Sequence, residues 1–291
     1  MAATVNRMHG IVHWLGIAFA LQLLAILLLG SVGAWQLRLA DLYPCTAVGL
    51  VAWLLLARAT WTRPGSPWNS WLGTLQFATC WTVFPLFKGI RQGFIQHTAD
   101  ASLLAADRAL WGGASLPEHA MAWQSPLLSE ICSAGYFLFY FIVLVPAVAY
   151  SFRRRGAEAR AFFAGLMLMY LAGFVGYLAV PAGGPFIAFP DVFPYPPAGG
   201  PMTALLARIV DAGVTGMDVF PSLHAGIGTY VLGFLYTSGR RAWAGVLLPV
   251  VAVLVVATVY LLYHYGIDVA CGLALAALVL AFVRRYRKEI A

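Results

Sequence analysis

The sequence predicts an all-α protein, a polytopic helical bundle in a membrane. Of its 291 residues, 62% are hydrophobic and only 10% are charged, and the mean hydropathy is +0.81. A soluble domain carries about 25% charged residues to cover its surface. Several apolar runs also reach the length of about 20 residues that a helix needs to span a bilayer. These observations exclude an ordinary soluble domain.

Eight apolar runs are the predicted spans. The first is long enough to span and lacks a small-residue cleavage site, so we expect a membrane helix there and not a cleaved signal peptide. The third is the weakest, because Thr74, Gln76 and Thr79 dilute it and Pro85 interrupts its end. Only a tight reversal separates the last two. The approximate ranges are 11–30, 43–59, 71–87, 130–150, 161–180, 221–237, 243–263 and 266–283.

The basic residues predict the orientation of these spans. If the spans alternate, both termini and the connections 60–70, 151–160 and 238–242 share one side, which carries most of the arginines. Positive residues mark cytoplasmic loops, so we expect both termini in the cytoplasm of a bacterium and the protein in its inner membrane. Because the basic residues are split among short juxtamembrane segments, the net charge of +7 indicates no nucleic-acid partner.

Two polar stretches interrupt the apolar pattern. "MDVFPSLHAGIGTY" (217–230) opens the sixth span, and "YLLYHYGIDVACG" (260–272) joins the seventh to the eighth. Alternating spans place the start of the sixth and the end of the seventh on the extracytoplasmic side. His224 and His264 are therefore expected at one face, where the Gly/Pro-rich loop 180–201 also emerges.

The stretch around His224 has the features of an anion site. Pro221 suits the first turn of a helix, where its missing N–H would be unpaired in any case. Ser222 and the N–H groups of Leu223 and His224 would then lie at the positive end of that helix, which favours a phosphate.

The stretch around His264 has the features of a nucleophile with a supporting carboxylate. Four residues separate His264 from Asp268, so both lie on one face if the eighth helix starts by His264. The carboxylate can accept one imidazole N–H and leave the other nitrogen free to attack. His224 can donate a proton to the departing oxygen.

These motifs resemble a known family. "PSLHAG", followed about 40 residues later by "HYGID", resembles the type 2 phosphatidic acid phosphatase superfamily. The closer likeness is to the branch that contains fungal inositol phosphorylceramide synthase and its bacterial relatives. Two stretches of this sequence, "DASLLAADRALWGG" (100–113) and "GYLAVPAGGPF" (176–186), resemble the extra segments of that branch. The likeness covers roughly 95–283. It implies a six-helix phosphatase-type core plus two N-terminal helices, with N-terminal helices in 1–87 and a catalytic membrane domain in 88–291.

The resemblance also implies a mechanism. His264 would be the nucleophile that forms a phosphohistidine, Asp268 would orient it, and His224 would protonate the leaving group. No metal and no cofactor are implied. The family's Lys and Arg-Pro motif is absent, and its Ser-Arg is replaced by Ala257 and Thr258. A Thr at this place resembles the synthase branch, which favours transfer from a phospholipid donor to a lipid or polyol acceptor.

Several further residues are candidates for binding the substrate or its phosphate. A dianionic phosphoryl group needs positive charge, and few basic residues are predicted on the extracytoplasmic side. Arg208 is the most distant of these in the topology. The candidates are Lys88, Arg91, Arg108, Asp100, Tyr177, Gly183, Gly184, Ser222, Leu223 and Thr258.

Other interpretations remain open at this point. The His and Asp residues could form a buried network between helices, a metal site with two His and one carboxylate, or the proton relay of a transporter. A phosphatase acting on a phospholipid or isoprenyl phosphate is the nearest alternative to the transferase. The helix 100–111 is expected at the membrane interface with Leu103, Leu104 and Leu110 available to lipid. Its Asp100, Asp107 and Arg108 form either a solvated face or a substrate-capture site. The loop 181–201 is either a plain connection or a lid or headgroup pocket over the site.

Overall fold

The computed structural model of the protein describes residues 2–61, 71–152 and 156–286. The regular elements in these ranges are helices, which confirms the predicted all-α class. Short 3-10 turns at 40–42 and 84–86 join some of them. The α-helices are α1 (Ala2–Gln36), α2 (Tyr43–Trp61), α3 (Leu72–Val83), α4 (Phe87–Phe94), α5 (Asp100–Leu110), α6 (Leu116–Met121), α7 (Pro126–Phe137), α8 (Phe139–Phe152), α9 (Ala157–Ala179), α10 (Pro185–Ala188), α11 (Pro201–Gly213), α12 (Leu223–Thr237), α13 (Arg241–Tyr260) and α14 (Gly266–Arg285).

Six segments of the described ranges are long and apolar enough to cross a membrane, and they coincide with six of the eight predicted spans. The other two predicted spans are helical but shorter. The run 71–87 breaks at Phe84–Leu86, where Pro85 begins a 3-10 turn, and α12 has only 15 residues. The six segments are Val12–Gln36, Ala40–Trp61, Pro126–Phe152, Ala157–Ala179, Arg241–Tyr260 and Gly266–Arg285.

The helices group into two compact units. The first consists of 1–94, 145–171 and 278–291, and the second of 95–144 and 172–277. Helices α8, α9 and α14 therefore contribute residues to both units. The division at residues 87 and 88 inferred from the sequence stays a prediction. Parts of the expected cytoplasmic charge, namely Arg63, Arg153, Arg154, Arg155, Arg287 and Lys288, lie outside the described residues.

Close helix packing in the first unit depends on glycine. Helix α1 packs against α2 and α4. A Cβ atom on Gly89 of α4 would lie 2.5 Å from the carbonyl oxygen of Gly30 on α1, and one on Gly93 would lie 3.0 Å from the Cα of Gly33. Small residues let membrane helices approach closely enough for backbone contact. A larger side chain at Gly89 would force the two helices apart.

In the second unit, α13 packs against α7 and α12, and α7 packs against α11. A hydrophobic cluster lies beside these helices, and Leu103 and Leu104 of α5 are buried in it. The expectation that both leucines face lipid is therefore wrong, and only Leu110 of the three is exposed. The other buried members are Ala182, Phe193, Val219, Leu262 and Tyr265.

Candidate active site

The two histidines of the polar stretches lie close together in the second unit. His224 is the second residue of α12, and His264 lies between α13 and α14. Their ring centroids are 6.1 Å apart, with an angle of 61° between the ring planes. His264 is only 3% exposed. Two segments far apart in sequence therefore bring two imidazoles to one place.

The start of α12 differs from the sequence prediction. Helix α12 begins at Leu223, and Ser222 is its N-cap, with its Oγ accepting a hydrogen bond from the Ala225 N–H at 3.4 Å. Pro221 precedes the cap, so the prediction that it lies in the first turn is wrong. The reason is that Ser is a strongly preferred N-cap, because its hydroxyl satisfies an N–H group of the first turn. In the described part of the chain, the amides of Leu223 and His224 have no protein acceptor and point out of the helix N-terminus.

A backbone hydrogen bond joins the starts of α12 and α14. The N–H of Ser222 donates to the carbonyl oxygen of Asp268 at 3.0 Å. A Cβ atom on Gly272 would collide with the carbonyl oxygen of Ser222, so α14 approaches this point closely. The position of Ser222 is thus fixed by its amide and by its capping hydroxyl.

Replacing Ser222 with alanine is expected to reduce stability by about 1 kcal/mol, because the amide of Ala225 loses its cap. Ser222→Gly should cost only a few tenths of a kcal/mol, since glycine is tolerated at an N-cap. Thermal unfolding in detergent measures both. A rise in KM for the phosphorylated substrate in both variants, without the difference in stability, would instead place the hydroxyl on the phosphate.

His264 lies in the reversal before the last helix. Helix α14 begins at Gly266, where the predicted span 266–283 begins, so the condition that the helix starts by His264 is not met. Asp268 nevertheless approaches His264, with 3.8 Å between Oδ2 and Nδ1. That distance exceeds a hydrogen bond. Oδ2 accepts instead from the N–H of Tyr265 at 2.9 Å, the residue before the helix. Among the described residues, Nδ1 of His264 and Oδ1 of Asp268 are buried without a hydrogen-bond partner.

Thr258 supports His264 through its backbone. Its carbonyl oxygen accepts from the N–H groups of Tyr263 at 3.1 Å and His264 at 3.0 Å, which closes the reversal after α13. Its hydroxyl donates to the carbonyl of Val255 at 2.7 Å. The Thr258 hydroxyl is thus bonded within its own helix.

Asp100 holds the glycine loop in place. Its carboxylate accepts from the N–H groups of Gly183 at 2.9 Å and Gly184 at 2.8 Å, and from the Tyr265 hydroxyl at 3.0 Å. Asp100 is 3% exposed, so its interpretation as part of a solvated helix face is wrong. Gly184 has φ +87°, and a Cβ atom there would collide with the carbonyl oxygen of Tyr263. Gly183 and Gly184 were candidates for binding the substrate or its phosphate, and in the structure their amides are bonded to Asp100.

A second buried carboxylate, Asp107, anchors the start of α14. It accepts from the N–H groups of Ile267 at 2.8 Å and Leu116 at 2.9 Å and from the indole N–H of Trp111 at 3.2 Å. Asp107 is fully buried, which also contradicts a solvated face. The sequence did carry a signal for the burial of this face. The positions of Asp100, Leu103, Leu104 and Asp107 fall on one face of a helix, and two of the four are leucines.

The structure gives the following positions and partners for the basic candidates and for Tyr177. Arg108 forms a bidentate salt bridge with Glu118, with Nε–Oε2 at 3.0 Å and Nη2–Oε1 at 2.5 Å. Lys88 and Arg91 lie on α4 in the first unit, and Lys88 is 3.7 Å from Asp41. Arg208 is exposed on α11, and Tyr177 is buried on α9. Their roles in substrate binding stay predictions.

Replacing Arg108 with glutamine is expected to affect stability more than phosphate binding. The hydrogen bond from Arg108 lowers the pKa of Glu118 to about 2, against about 4.3 for an ordinary glutamate. The pair therefore stabilises the fold above about pH 4.3, and this contribution is lost as the pH falls toward 2. The melting temperature of Arg108→Gln should be lower at pH 7, and the difference should shrink in acid. Glu118→Gln is the matched control: if Arg108 grips phosphate, only the arginine variant raises KM.

An aromatic wall flanks the two histidines, and the sequence reasoning missed it. Tyr136 of α7 stacks on His224, with centroids 4.6 Å apart, and contacts Tyr263 edge-on at 4.8 Å. The Tyr263 hydroxyl is 3.1 Å from that of Tyr195, which belongs to the loop after α10. Apolar helices contain many aromatic residues, so no pattern in the sequence distinguishes Tyr136 from a packing residue.

The fold is that of a polytopic helical membrane protein with both histidine motifs in one compact unit. A family model described as the PAP2 superfamily matches residues 101–282, which is more than half of the chain. The chain belongs to the PAP2 superfamily, which generally comprises phosphatases and phosphotransferases. No curated protein and no solved structure matches it. Within the described residues, no group of three or more His, Cys, Asp or Glu side chains is arranged to hold a metal ion.

Proposed function

We propose that this protein is an integral-membrane lipid phosphotransferase. It would move a phosphoryl group or phosphorylated headgroup from a phospholipid donor to a lipid or polyol acceptor, as in the inositol phosphorylceramide synthase-like branch. The observation that carries the proposal is that the ring centroids of His224 and His264 are 6.1 Å apart. Oδ2 of Asp268 lies 3.8 Å from Nδ1 of His264. Reacting atoms must approach to about 3–3.5 Å. A single phosphoryl group between the rings is within reach of both.

The first half-reaction forms a phosphohistidine. Asp268 faces Nδ1 of His264, which leaves Nε2 to attack phosphorus. The P–N bond forms while the P–O bond to the leaving alcohol breaks with its electron pair. The departing oxygen takes a proton from His224. The carboxylate of Asp268 stabilises the positive charge that develops on the His264 ring.

The second half-reaction returns the enzyme to its starting state. The acceptor hydroxyl gives its proton to His224, and its oxygen forms a new P–O bond. The P–N bond breaks and its electron pair returns to His264. The free amides of Leu223 and His224 at the start of α12 are suited to hold the phosphoryl oxygens during both steps.

Burial of the nucleophile favours transfer over hydrolysis. His264 is 3% exposed, and a site that limits access to water protects a reactive intermediate until an acceptor arrives. A phosphatase acting on a phospholipid or isoprenyl phosphate is the alternative, in which water replaces the acceptor. We place the site at the extracytoplasmic face of a bacterial inner membrane, with both termini in the cytoplasm, because most arginines lie on the opposite side of the predicted topology.

A radiolabelled phospholipid, with ³²P in its headgroup phosphate, tests the proposal. The purified protein is supplied with this donor and with ceramide, diacylglycerol, inositol or glycerol as acceptor. Label in a new lipid or in a phosphorylated polyol supports the transferase, and label in inorganic phosphate supports the phosphatase. His264→Ala should abolish either product. The matched control is His97→Ala, because His97 is exposed and lies outside the two motifs. Equal turnover by the wild type and His264→Ala would contradict the proposal.

A further inference from the structure

We infer that Tyr136 is a positioning residue that keeps a hydrogen on Nδ1 of neutral His224, so that Nε2 is the atom that exchanges protons with the substrate. The inference rests on the proposed function, in which His224 is the acid and base for the leaving and accepting oxygens. It adds a residue of α7 to a site otherwise built from the two histidine motifs.

The geometry holds His224 on two sides. The Tyr136 hydroxyl lies 3.3 Å from Nδ1 of His224, and the two rings are stacked at 4.6 Å with 29° between their planes. Phe139, in the first turn of α8, packs on the same imidazole at 4.4 Å and 53°. The stacking restricts the orientation of the imidazole ring, and the hydroxyl contacts one of its two nitrogens.

The Tyr136 hydroxyl can donate to Nδ1 of His224 or accept from it, and the inference is that Nδ1 is the donor. When His224 is protonated, both nitrogens carry hydrogen, and only Nδ1–H can donate to the phenol oxygen of Tyr136. If this direction is kept after Nε2 has given its proton to the leaving oxygen, the neutral ring carries its hydrogen on Nδ1. Nε2 then has a lone pair ready to take the proton of the acceptor hydroxyl. Tyr136 itself gains and loses no proton.

The two imidazoles therefore have different partners suited to different tasks. His264 has a carboxylate behind it, which stabilises positive charge and supports the phosphorylated ring. His224 has a neutral phenol behind it, which fixes its orientation without holding the positive charge as strongly. An imidazole beside a phenol is the better proton donor of the two. Contrasting environments of paired titratable groups commonly separate their roles in catalysis.

The first test is the dependence of the rate on the leaving group. Tyr136→Phe keeps the ring and removes the hydroxyl. With a phospholipid donor, whose alcohol needs a proton to leave, the first step should slow about 10- to 100-fold, the effect of one hydrogen bond to a charged group. With a nitrophenyl phosphate ester, whose phenolate leaves without a proton, the first step should be unchanged. In a His224→Ala background, Tyr136→Phe should have no further effect on the phospholipid reaction. Tyr236→Phe, an exposed tyrosine, is the control.

An equal loss with both donors, or a full additional loss in the His224→Ala background, would overturn the inference. The second test does not depend on turnover. In ¹⁵N-histidine-labelled protein, the nitrogen chemical shifts should show neutral His224 in the Nδ1–H form, with a shift toward the Nε2–H form in Tyr136→Phe. The Nε2–H form in the wild type would overturn the role of Tyr136. If the wild type turns over no phosphorylated lipid, the proposed function fails, whereas the tautomer measurement still decides the role of Tyr136.

Discussion

Replacing His264 with alanine is expected to lower the rate of phosphoryl transfer by about 10⁴-fold or more, because the variant lacks the atom that we propose bonds to phosphorus. In rapid-quench experiments with a ³²P-labelled donor, the wild type should carry label on the protein that survives alkali and is released by acid, as expected of a phosphohistidine. The His264→Ala variant should carry none.

His224→Ala separates this step from proton donation. With a nitrophenyl phosphate ester as donor, His224→Ala should still form the labelled intermediate, since this leaving group needs no proton. Transfer onward to an alcohol should be slow, because no imidazole then accepts the proton of the acceptor. Stable label on His264→Ala would show that another residue is the nucleophile.

Replacing Asp100 with asparagine is expected to destabilise the second unit by about 3 kcal/mol, since a hydrogen bond to a charged group contributes about 1.5–3 kcal/mol. The carboxylate accepts three hydrogen bonds, and the amide nitrogen of asparagine would face the N–H of Gly183 or Gly184. The glycine loop would therefore keep only one of its two acceptor oxygens. Thermal unfolding in detergent measures the effect.

Asp191→Asn is the matched control for Asp100→Asn, because Asp191 is an exposed carboxylate of the following loop. It should unfold at the temperature of the wild type. If Asp100→Asn retains its stability but raises KM, Asp100 binds substrate instead of the loop. If neither quantity changes, the three hydrogen bonds contribute nothing measurable.

Long apolar runs made the overall class predictable. Six of the eight predicted spans coincide with helices that are long and apolar enough to cross a membrane. The bounds of the third and sixth runs were harder to predict. Pro85 interrupts the third run, and the N-cap at Ser222 shortens the sixth. Hydropathy measures how apolar a segment is, whereas the end of a helix depends on one or two capping residues.

The proximity of the candidate residues was predictable from the sequence, whereas the groups that hold them in place were less so. His224, His264 and Asp268 were evident because polar groups are rare at the ends of apolar runs. The anchoring role of Asp107 was not, because it depends on amides 9 and 160 residues away in the chain. Tyr136 was equally hidden among other aromatic residues. Such contacts arise only when the helices pack, so no local pattern reports them.

The N–H of Ser222 donates a hydrogen bond to the carbonyl oxygen of Asp268. Main-chain atoms therefore set the distance between the segments that carry the two histidines. Main-chain atoms are the same in every amino acid except at proline, which has no N–H to donate. If the two histidines act as proposed, mutations can remodel the surrounding side chains for a new lipid while the distance between the two histidine segments stays the same. Such an arrangement would let substrate preference drift during evolution without each step rebuilding the chemistry.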